Sequence, residues 1–246
     1  LLAVPGIFFT VFLGLGDAGT VAFNRTLNAD IVAEQGAGPA TLDLGALADI
    51  PGIAVAAPMS MTRADWFPPA DPESPIGGGV QLGATDPVAL SRVQHLQVKG
   101  APLTEVKGTK IAAFALGHEL GERTTLTGPA GKPVEVEVVT ILAGGAALRE
   151  YTVDATTFDL QGGQADHRTW FIALEPGADA AQVKDAIAQA LPGATVQDVA
   201  TWTQGMTDDA NRQVTTSLLV MIGGSCLLAV LAIGVSLMTS LRERQD

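Results

Sequence analysis

The feature that most constrains this chain is an uncharged segment, Gln213–Leu241, close to its C-terminal end. Its inner part, Ser217–Thr239, is apolar or small at nearly every position. A helix rises about 1.5 Å per residue, so a helix of this length exceeds the roughly 30 Å hydrocarbon core of a bilayer. The alternative is a helix buried in a large soluble core, but such helices seldom extend this far without a charge. We therefore predict a transmembrane helix.

Two arginines directly after this segment indicate its orientation. Arg242 and Arg244 follow the apolar residues, and positive side chains beside a membrane span are typically cytoplasmic. Residues 242–246 are then expected to begin a cytoplasmic segment. The central part of the chain is expected on the extracytoplasmic side of the cell membrane.

The N-terminal end is also apolar. Leu1–Gly16 contains no charge, and the first acidic residue is Asp17. We predict that residues 1–27 form the outer part of a transmembrane helix and a stalk. The rival interpretation is the core of a signal peptide, but the segment lacks a basic start and a clear small-residue cleavage site. Because the chain starts at Leu1 and ends just after the second apolar segment, we expect it to be part of a longer polypeptide.

The composition fits a folded domain between two membrane segments. The chain is 47% hydrophobic and 16% charged, which is rich for a soluble protein and modest for one with many spans. Its formal net charge is −12, and most acidic side chains lie in the middle. A domain with this charge is not expected to bind nucleic acid or an anionic membrane surface through electrostatic attraction.

Two similar strand–helix–strand patterns lie near the two ends of the central region. The first has strands at Ala29–Glu34 and Ile53–Ser60, with a short helix at Asp43–Ile50 between them. The second has strands at His167–Leu174 and Ala194–Val199, with an amphipathic helix at Asp179–Leu191. We predict an α+β fold in which residues 28–79 and 166–200 form one subdomain.

Between these patterns, residues 80–165 are predicted to form an inserted β-rich subdomain. Its predicted elements are a turn or short helix at Asp86–Val93, a helical turn at Ala115–Leu120, strands at Val80–Ala84, Lys110–Phe114 and Tyr151–Phe158, and a hairpin of Arg123–Thr127 with Val134–Leu142. A Pro- and Gly-rich loop, Trp66–Gly79, precedes it.

Residues 201–241 are predicted to form one continuous helix, first as a stalk and then as the membrane span. The helix is expected to begin at Thr201 or Thr203. Trp202, Met206 and Ala210 recur at four-residue spacing, and the stripe continues into the apolar segment. A helix that is continuous through this junction would connect the outer domain mechanically to the bilayer.

No pattern in the chain predicts catalytic, cofactor-binding or metal-binding residues. Gly128–Lys132 lacks the earlier glycine and the following Ser or Thr of a phosphate-binding loop. His95, His118 and His167 have no metal-ligand spacing and are interpreted as ordinary surface or turn residues. The adjacent Asp208 and Asp209 point about 100° apart on a helix, which favours a solvated face over a paired acid site.

Substrate-binding residues are unknown from the sequence. The only candidates are three aromatic side chains, Trp66, Phe67 and Tyr151. Trp66 and Phe67 lie beside the predicted loop, where they would bind an apolar ligand or a membrane surface. The alternative, which we favour, is that they cap a small core.

Several short motifs occur in a characteristic order along the whole chain. They are Ala29–Val32 (ADIV), Ile50–Pro58 (IPGIAVAAP), Gly83–Pro87 (GATDP), Leu116–Leu126 (LGHELGERTTL), Leu174–Ala181 (LEPGADAA) and Ser240–Asp246 (SLRERQD). With apolar helices before and after them, this order resembles the FtsX-like permease family of ABC transporters with a MacB-like extracytoplasmic domain.

The resemblance implies a permease subunit that carries no ATP site of its own. Such permeases pair as two halves, or as homodimers, and bind separate ATPase subunits that hold ATP and Mg²⁺ in the cytoplasm. Closure of the ATPases moves the stalk helices and then the extracytoplasmic domains. The implied substrates are amphiphilic, such as lipids, lipoproteins, peptides or haem, which are exported or extracted from the membrane.

Two other functions remain open at this stage. A non-transporting membrane scaffold would regulate a cell-wall enzyme or a sensor through its outer domain. A membrane-anchored binding domain would have no ATPase partner. Substrate-stimulated ATP hydrolysis distinguishes a transporter from a scaffold.

Overall fold

The computed structural model describes residues 26–39, 47–67, 79–114, 117–127, 133–143, 150–154, 164–165 and 167–208, with residues 212, 215, 216 and 219. It contains two compact units. The larger is Val21–Trp202, and the smaller consists of Leu1–Thr20 and Thr203–Asp246.

The larger unit is an α+β fold dominated by one mixed sheet. Its strands are β1 (Ile31–Gln35), β3 (Ile53–Phe67), β4 (Gly79–Thr85), β5 (Gln97–Gly100), β6 (Lys110–Phe114), β7 (Arg123–Thr127), β8 (Pro133–Ala143), β9 (Tyr151–Val153), β11 (His167–Leu174) and β12 (Thr195–Asp198). A separate short pair joins β2 (Gly38–Pro39) to β10 (Gln164–Ala165).

Few helices accompany the sheet. Helix α1 (Pro87–Val93) and helix α2 (Ala180–Ala190) belong to the larger unit, and Leu103–Glu105 form one turn of 3₁₀ helix. Residues 199–208 are also helical and are called α3. Asp86 and Asp179 cap α1 and α2 by accepting hydrogen bonds from backbone amides of the first turn, as N-cap carboxylates do.

One half of the sheet, which we call the helix-covered half, contains β12, β1, β11 and the first part of β3 in that order. Neighbouring residues of β11 belong to opposite faces: Phe171 packs in the cluster that includes α1, whereas Trp170 and Ile172 pack in the cluster that includes α2. Residues of β1 alternate in the same way. A strand that is buried on both faces is apolar at consecutive positions, which explains the apolar run Trp170–Leu174 in β11.

The other half is a closed ring of six strands, which we call the strand ring. Its order is β3, β4, β9, β6, β8 and β7, and β7 returns to pair with the end of β3. The interior is filled by apolar side chains such as Leu82, Ile111, Leu126 and Val138, all fully buried. Strand β5 lies outside this ring and pairs with the last residues of β8.

Strand β3 belongs to both halves because it is 15 residues long. It pairs with β11 from Ile53 to Met61, with β4 from Met59 to Asp65 and with β7 from Asp65 to Phe67. The predicted loop at Trp66–Gly79 is therefore wrong at both ends: Trp66 and Phe67 extend β3, and Gly79 begins β4. Pairing with β7 and β4 determines the extended conformation of these residues, whereas the local Pro and Gly content does not.

Several predicted elements agree with the structure, and some differ. The hairpin of β7 and β8, the strands β6 and β11 and the helix α2 lie where they were predicted. The described part of the predicted helix Asp43–Ile50, residues 47–50, forms turns. Pro51 disfavours helical backbone at the preceding residue, which accounts for this. The predicted strand Tyr151–Phe158 is paired over Tyr151–Val153, and residues 155–158 lie outside the described residues.

Two further differences lie in and beside the strand ring. Residues 117–120 of the predicted helical turn Ala115–Leu120 are not helical, because Gly117 has a positive φ of 87° that a helix does not accept. Strand β5 was not predicted, since its four residues are exposed and show no apolar alternation.

The smaller unit is described in part. Residues 203–208, 212, 215, 216 and 219 are helical, and the Thr216 hydroxyl donates to the carbonyl of Arg212 at 2.8 Å. Of the predicted membrane span Gln213–Leu241 and of the segment Leu1–Gly16, most residues lie outside the described ranges. Among the helices that are described, none combines the length and apolar character that crossing a bilayer requires.

Candidate functional site

The candidate site is the end of the larger unit that holds two connecting segments of the chain. We call residues 26–28 the first connection and residues 199–202, which follow β12, the second connection. We call this end of the unit the base, and it is built on one cluster of buried residues. Its members are Leu27, Val32, Ala57, Met59, Leu90, Val93, Phe171 and Trp202. Leu27 and Trp202 lie near the two ends of this unit, so both connections are held by the same apolar core.

The first connection is tied to the end of α1 by backbone hydrogen bonds. Leu27 forms an isolated antiparallel bridge with Gln94. The amide of Asn28 donates to the carbonyl of Val93 at 2.7 Å, and the amide of His95 donates to the carbonyl of Thr26 at 2.8 Å. The Asn28 side chain adds a bond to the carbonyl of Arg92 at 3.0 Å. Residues 26–28 therefore cannot be displaced without moving α1 or breaking these bonds.

The second connection follows β12 and continues into α3. Its first helical residue, Val199, donates its amide to the carbonyl of Asp30 at 3.0 Å. The ring of Trp202 then packs edge-on against Phe171, with centroids 5.6 Å apart and planes at 79°. Edge-to-face contacts of this kind are favourable for aromatic pairs. Both rings are almost completely buried.

Asp30 joins the two connections to the sheet. Its amide donates to the carbonyl of Ile172 at 2.8 Å, and its carbonyl accepts the bond from Val199. Its carboxylate Oδ2 accepts the amide of Leu174 at 2.8 Å. One residue thus holds the start of β1, the end of β11 and the start of α3. The sequence signal for it was an acidic residue immediately before an apolar strand, and it was not recognised.

A cleft of about 520 Å³ opens at the base. It lies where the pairing of β3 with β11 shifts register, between Ala173 and Leu174, and β-bulges of this kind are frequent beside functional sites. Charged groups on its wall are Asp30 and Arg92. Its complete lining is Leu27, Asn28, Ala29, Asp30, Ala54, Val55, Arg92, Ala173 and Leu174.

A second cluster of titratable side chains lies on the strand ring. The imidazole Nδ1 of His118 is 3.1 Å from Oε2 of Glu122 and 3.4 Å from the hydroxyl of Tyr151. Its Nε2 is 3.8 Å from Oε1 of Glu150. The imidazole and phenol rings are in contact, with centroids 4.8 Å apart. Burial, and then the charges of Glu122 and Glu150, hold the pKa of Tyr151 well above the usual tyrosine range.

None of the three candidate aromatic residues is among the residues that line the base cleft. Tyr151 is fully buried inside the strand ring, so it offers no ligand surface. Trp66 pairs with Leu126 and Phe67 with Thr125 in the β3–β7 ladder. No substrate-binding residue is therefore assigned, and within the described ranges no three His, Cys, Asp or Glu side chains are grouped so as to hold a metal.

The three histidines have different environments. His95 is exposed, and His167 is 40% exposed and 3.2 Å from Glu34. The side chain of His118 is only 9% exposed, so its interpretation as an ordinary surface or turn residue was incomplete. It does lie in a turn, but packing against Tyr151 covers it. The four-residue spacing to Glu122 was a local signal, whereas the contact with Tyr151 depends on the fold.

Comparison with known proteins gives structural neighbours only. No family profile and no curated protein matches the sequence. The periplasmic region of MacB from Actinobacillus actinomycetemcomitans is similar in structure, with a TM-score of 0.49 and 9% identity, over 74% of this chain and 94% of that one.

Two other solved structures are similar to a comparable extent. A domain of a putative permease from Porphyromonas gingivalis has a TM-score of 0.47 and 12% identity, over 72% of this chain and 90% of that one. The extracellular domain of the noncanonic ABC-type transporter YknZ from Gram-positive bacteria has a TM-score of 0.47 and 11% identity, over 68% and 99%.

Proposed function

We propose that this chain is the extracytoplasmic domain, with parts of two membrane helices, of the permease subunit of an ABC transporter. The observation that supports this best is the base, where both chain connections enter one packed cluster through Leu27 and Trp202. A domain carried on two membrane helices needs its two connections on one end. The uncharged segments Leu1–Gly16 and Gln213–Leu241 and the order of the sequence motifs support the same proposal.

In the proposed arrangement, residues 1–27 and 201–241 are the membrane helices with their stalks. Residues 242–246 begin a cytoplasmic segment, and the domain between lies outside the cell membrane. The division into subdomains 28–79 with 166–200 and 80–165 also stays a prediction. The partners are an ATPase subunit, a second permease half or a homodimer mate, and the lipid bilayer.

The base explains how such a domain would move. A pull on α3 acts on Val199 and Trp202, which are fixed to Asp30 and Phe171. A pull on the first connection acts on α1 through Asn28 and Leu27. Because β1, β11 and α1 share the base cluster, either displacement moves the helix-covered half as one body. The long strand β3 then carries the movement into the strand ring.

The proposed chain has no catalytic role. ATP and Mg²⁺ would be held by the partner ATPase, and the permease would convert closure of that ATPase into movement of the outer domain. The substrate is proposed to be amphiphilic, such as a lipid, lipoprotein, peptide or haem, and to be exported or extracted from the membrane. The non-transporting scaffold stays the alternative.

Purification of the full-length protein from gentle detergent tests the partner. We expect a nucleotide-binding subunit in stoichiometric amount. A cell-wall enzyme or sensor in its place, with no ATPase, would contradict the transporter and favour the scaffold. If an ATPase is present, stimulation of ATP hydrolysis by candidate amphiphiles distinguishes transport from regulation alone.

A matched pair of variants at Gln204 tests the mechanical role of α3. Gln204 is exposed within the helix, so its side chain contributes little packing. Gln204→Pro removes a helical hydrogen bond and breaks the helix at a cost of about 3 kcal/mol, whereas Gln204→Ala keeps it. We expect Gln204→Pro to retain ATP hydrolysis but to lose transport, and Gln204→Ala to retain both. Normal transport by the proline variant would rule out the mechanical connection.

A further inference from the structure

Strand β5 is the end strand of the main sheet, and among the described residues it is paired on one side only, with β8. The amide of Ala101, which follows β5, donates to the carbonyl of Val139 at 2.9 Å. Backbone groups of successive residues in an antiparallel strand face its two sides alternately. Gln97 and Lys99 therefore bond to β8, whereas Val98 directs its N–H and C=O away from the sheet. This edge has the geometry to accept another strand.

The two faces of β5 differ in chemistry. Val98 is apolar and 44% exposed, and Leu120, in the turn of residues 117–122, is exposed to the same extent. A Cβ built on Gly100 would be 2.5 Å from Leu120 Cδ2, and Val98, two residues earlier in the strand, shares the face of that Cβ. The exposed side chain of Lys99 lies on the other face. An incoming strand would therefore meet an apolar face and a basic face.

The sequence around β5 is basic, although the chain as a whole is acidic. Residues 92–110 contain four basic side chains and one acidic side chain, so their formal charge is +3 in a chain of −12. Lys99 forms no ion pair with any residue that the structure describes. The nearby turn contributes one acidic side chain, Glu119, next to Leu120 at the far end of the strand. An added negative charge is therefore best placed beside Lys99.

We propose that β5 binds an extended segment of a partner protein as an additional strand, and that this segment alternates apolar and acidic residues. Its apolar side chains contact Val98 and Leu120, and its carboxylates lie beside Lys99. Strand addition obtains affinity from main-chain hydrogen bonds and specificity from alternate side chains.

A second copy of β5 is a poorer occupant of this edge than an acidic segment. Antiparallel pairing of two copies through Val98 places the two Lys99 side chains opposite each other or two positions apart. Like charges on paired strands are destabilising, whereas opposite charges are favourable. The charge of β5 therefore selects a different chain as the partner.

The proposed binding edge is joined to the base through a short segment. The amide of His95, two residues before β5, donates to the carbonyl of Thr26 in the first connection at 2.8 Å. A partner on β5 is thus held by a strand whose start is bonded to this connection. The proposal needs no ATPase partner, so it stands or fails separately from the proposed transporter.

Binding of synthetic peptides to the full chain in detergent, measured by fluorescence anisotropy, tests the proposal. The probe is a capped, labelled octapeptide of alternating glutamate and valine. It is compared with the same peptide carrying lysine in place of glutamate, and with one that is methylated on every backbone nitrogen. We expect the glutamate peptide to bind, the other two to bind about tenfold more weakly, and the affinity of the first to fall as salt is added.

Two pairs of variants locate the binding on β5. Val98→Pro removes the outward N–H without removing a bond to β8, a position at which an edge strand accepts proline, whereas Val98→Thr keeps this N–H. We expect Val98→Pro to bind the glutamate peptide about three- to tenfold more weakly than Val98→Thr. Lys99→Gln should weaken binding roughly two- to fivefold, whereas Lys184→Gln, in α2, should leave it unchanged.

Several results would overturn the proposal. Absence of binding by the glutamate peptide, or equal binding by the lysine peptide, would exclude an acidic partner. Equal binding by Val98→Pro and Val98→Thr would exclude strand addition. If Val98→Pro does not fold, equal binding of the methylated peptide to the wild-type chain would exclude it instead. A smaller oligomer of Val98→Pro than of the wild type in light scattering would assign the edge to a second copy of the chain.

Discussion

The two halves of the sheet protect their apolar residues by different means. In the helix-covered half, β1 and β11 have buried residues on both faces, and α1 and α2 supply the two outer layers. In the strand ring, the sheet closes on itself, and its core lies inside. The first half depends on helices joined through loops, whereas the second depends on pairing between strands that are distant in sequence.

In the proposed transporter, this difference means that movement would enter the larger unit through the helix-covered half and end in the strand ring. Both chain connections are attached to the helix-covered half, through Asn28 and α1 on one side and through Val199 and Trp202 on the other. Leu27 and Trp202 of the connections belong to the base cluster, whereas the core of the strand ring is a separate cluster. Strand β3 is common to both halves, so in the proposed transporter a displacement of the base would reach the ring through this strand.

The strongest test of the comparison removes one large side chain from each core. Phe171→Ala empties the base and removes the contact with Trp202, and Leu126→Ala empties the ring, where Leu126 is fully buried. We expect Phe171→Ala to lower the free energy of unfolding by roughly 3–5 kcal/mol and Leu126→Ala by roughly 2–5 kcal/mol, measured by chemical denaturation.

Hydrogen exchange distinguishes these two variants better than stability does. Phe171→Ala should accelerate exchange at residues 199–202, because it removes the partner of Trp202. Leu126→Ala should leave that exchange close to the wild-type rate while accelerating it in β7 and β8. Equal acceleration at 199–202 in both variants would mean that the two halves are one cooperative core, and the comparison would fail.

Alanine variants at two glycines measure how tightly strand β5 packs beside the ring. Gly100 has a φ of 103°, and a Cβ there would lie 2.6 Å from the carbonyl oxygen of Val139. Gly108 also has a positive φ, 60°, but a Cβ there meets nothing within 4 Å. Both alanine variants carry backbone strain, and Gly100→Ala adds overpacking of about 1–3 kcal/mol. Thermal denaturation of the two variants gives this difference in stability. Equal losses of stability would show that the residues around Gly100 rearrange to accommodate the added methyl group.

The helix-covered half could be predicted from local sequence in most respects. The apolar run of β11 and the periodicity of α2, ended by Pro192–Gly193, give the correct strand and helix. Trp170 and Ile172 alternate with Phe171 along this strand and share a cluster. Residues Asp86–Val93 were expected as a turn or short helix, and helix α1 lies there with Asp86 as its N-cap.

The strand ring and the candidate sites depended on contacts that no local pattern contains. Residues 66 and 67 become strand because β7, about 60 residues later, pairs with them. His118 meets Tyr151 across 33 residues, and Asp30 binds the amide of Leu174 across 144 residues. Spacing rules identify neighbours within one helix or one strand, so these pairs remained invisible until the topology was known.

The alkaline titration of Tyr151 tests the interior of the ring without disturbing the base. Tyr151 is the only tyrosine in the chain, so tyrosinate absorbance reports this residue alone. Burial and two nearby glutamates raise its pKa above the usual value of about 10. The native protein should therefore show little tyrosinate at about pH 10–11, whereas the unfolded chain should ionise normally.

The raised pKa of Tyr151 makes the free energy of unfolding fall as the pH rises. Below about pH 10 the phenol is neutral in both states, so the stabilising contribution is complete. Above this value the unfolded state loses the proton first, and the free energy of unfolding should fall by about 1.4 kcal/mol per pH unit. In denaturation experiments above pH 10, Tyr151→Phe should lack this pH-dependent fall in the free energy of unfolding. A tyrosinate signal at the ordinary pH in the native protein would show that the ring interior admits water.

The smallest expected effects come from the caps of the two covering helices. The carboxylate of Asp86 accepts amides at 2.9 and 3.1 Å at the start of α1, and that of Asp179 accepts amides at 2.9 and 3.3 Å at the start of α2. Each alanine variant should cost about 1 kcal/mol in chemical denaturation, and Asp185→Ala, at an exposed position inside α2, should cost less.

The two caps should nevertheless differ in what they do to the base. Helix α1 is bonded to residues 26–28, so Asp86→Ala should accelerate hydrogen exchange at Asn28 and His95, whose amides complete that attachment. Helix α2 packs on the opposite face of the sheet, so Asp179→Ala should leave those amides unchanged at the same loss of stability. If both caps loosen the first connection equally, the attachment belongs to the whole sheet and not to the α1 face.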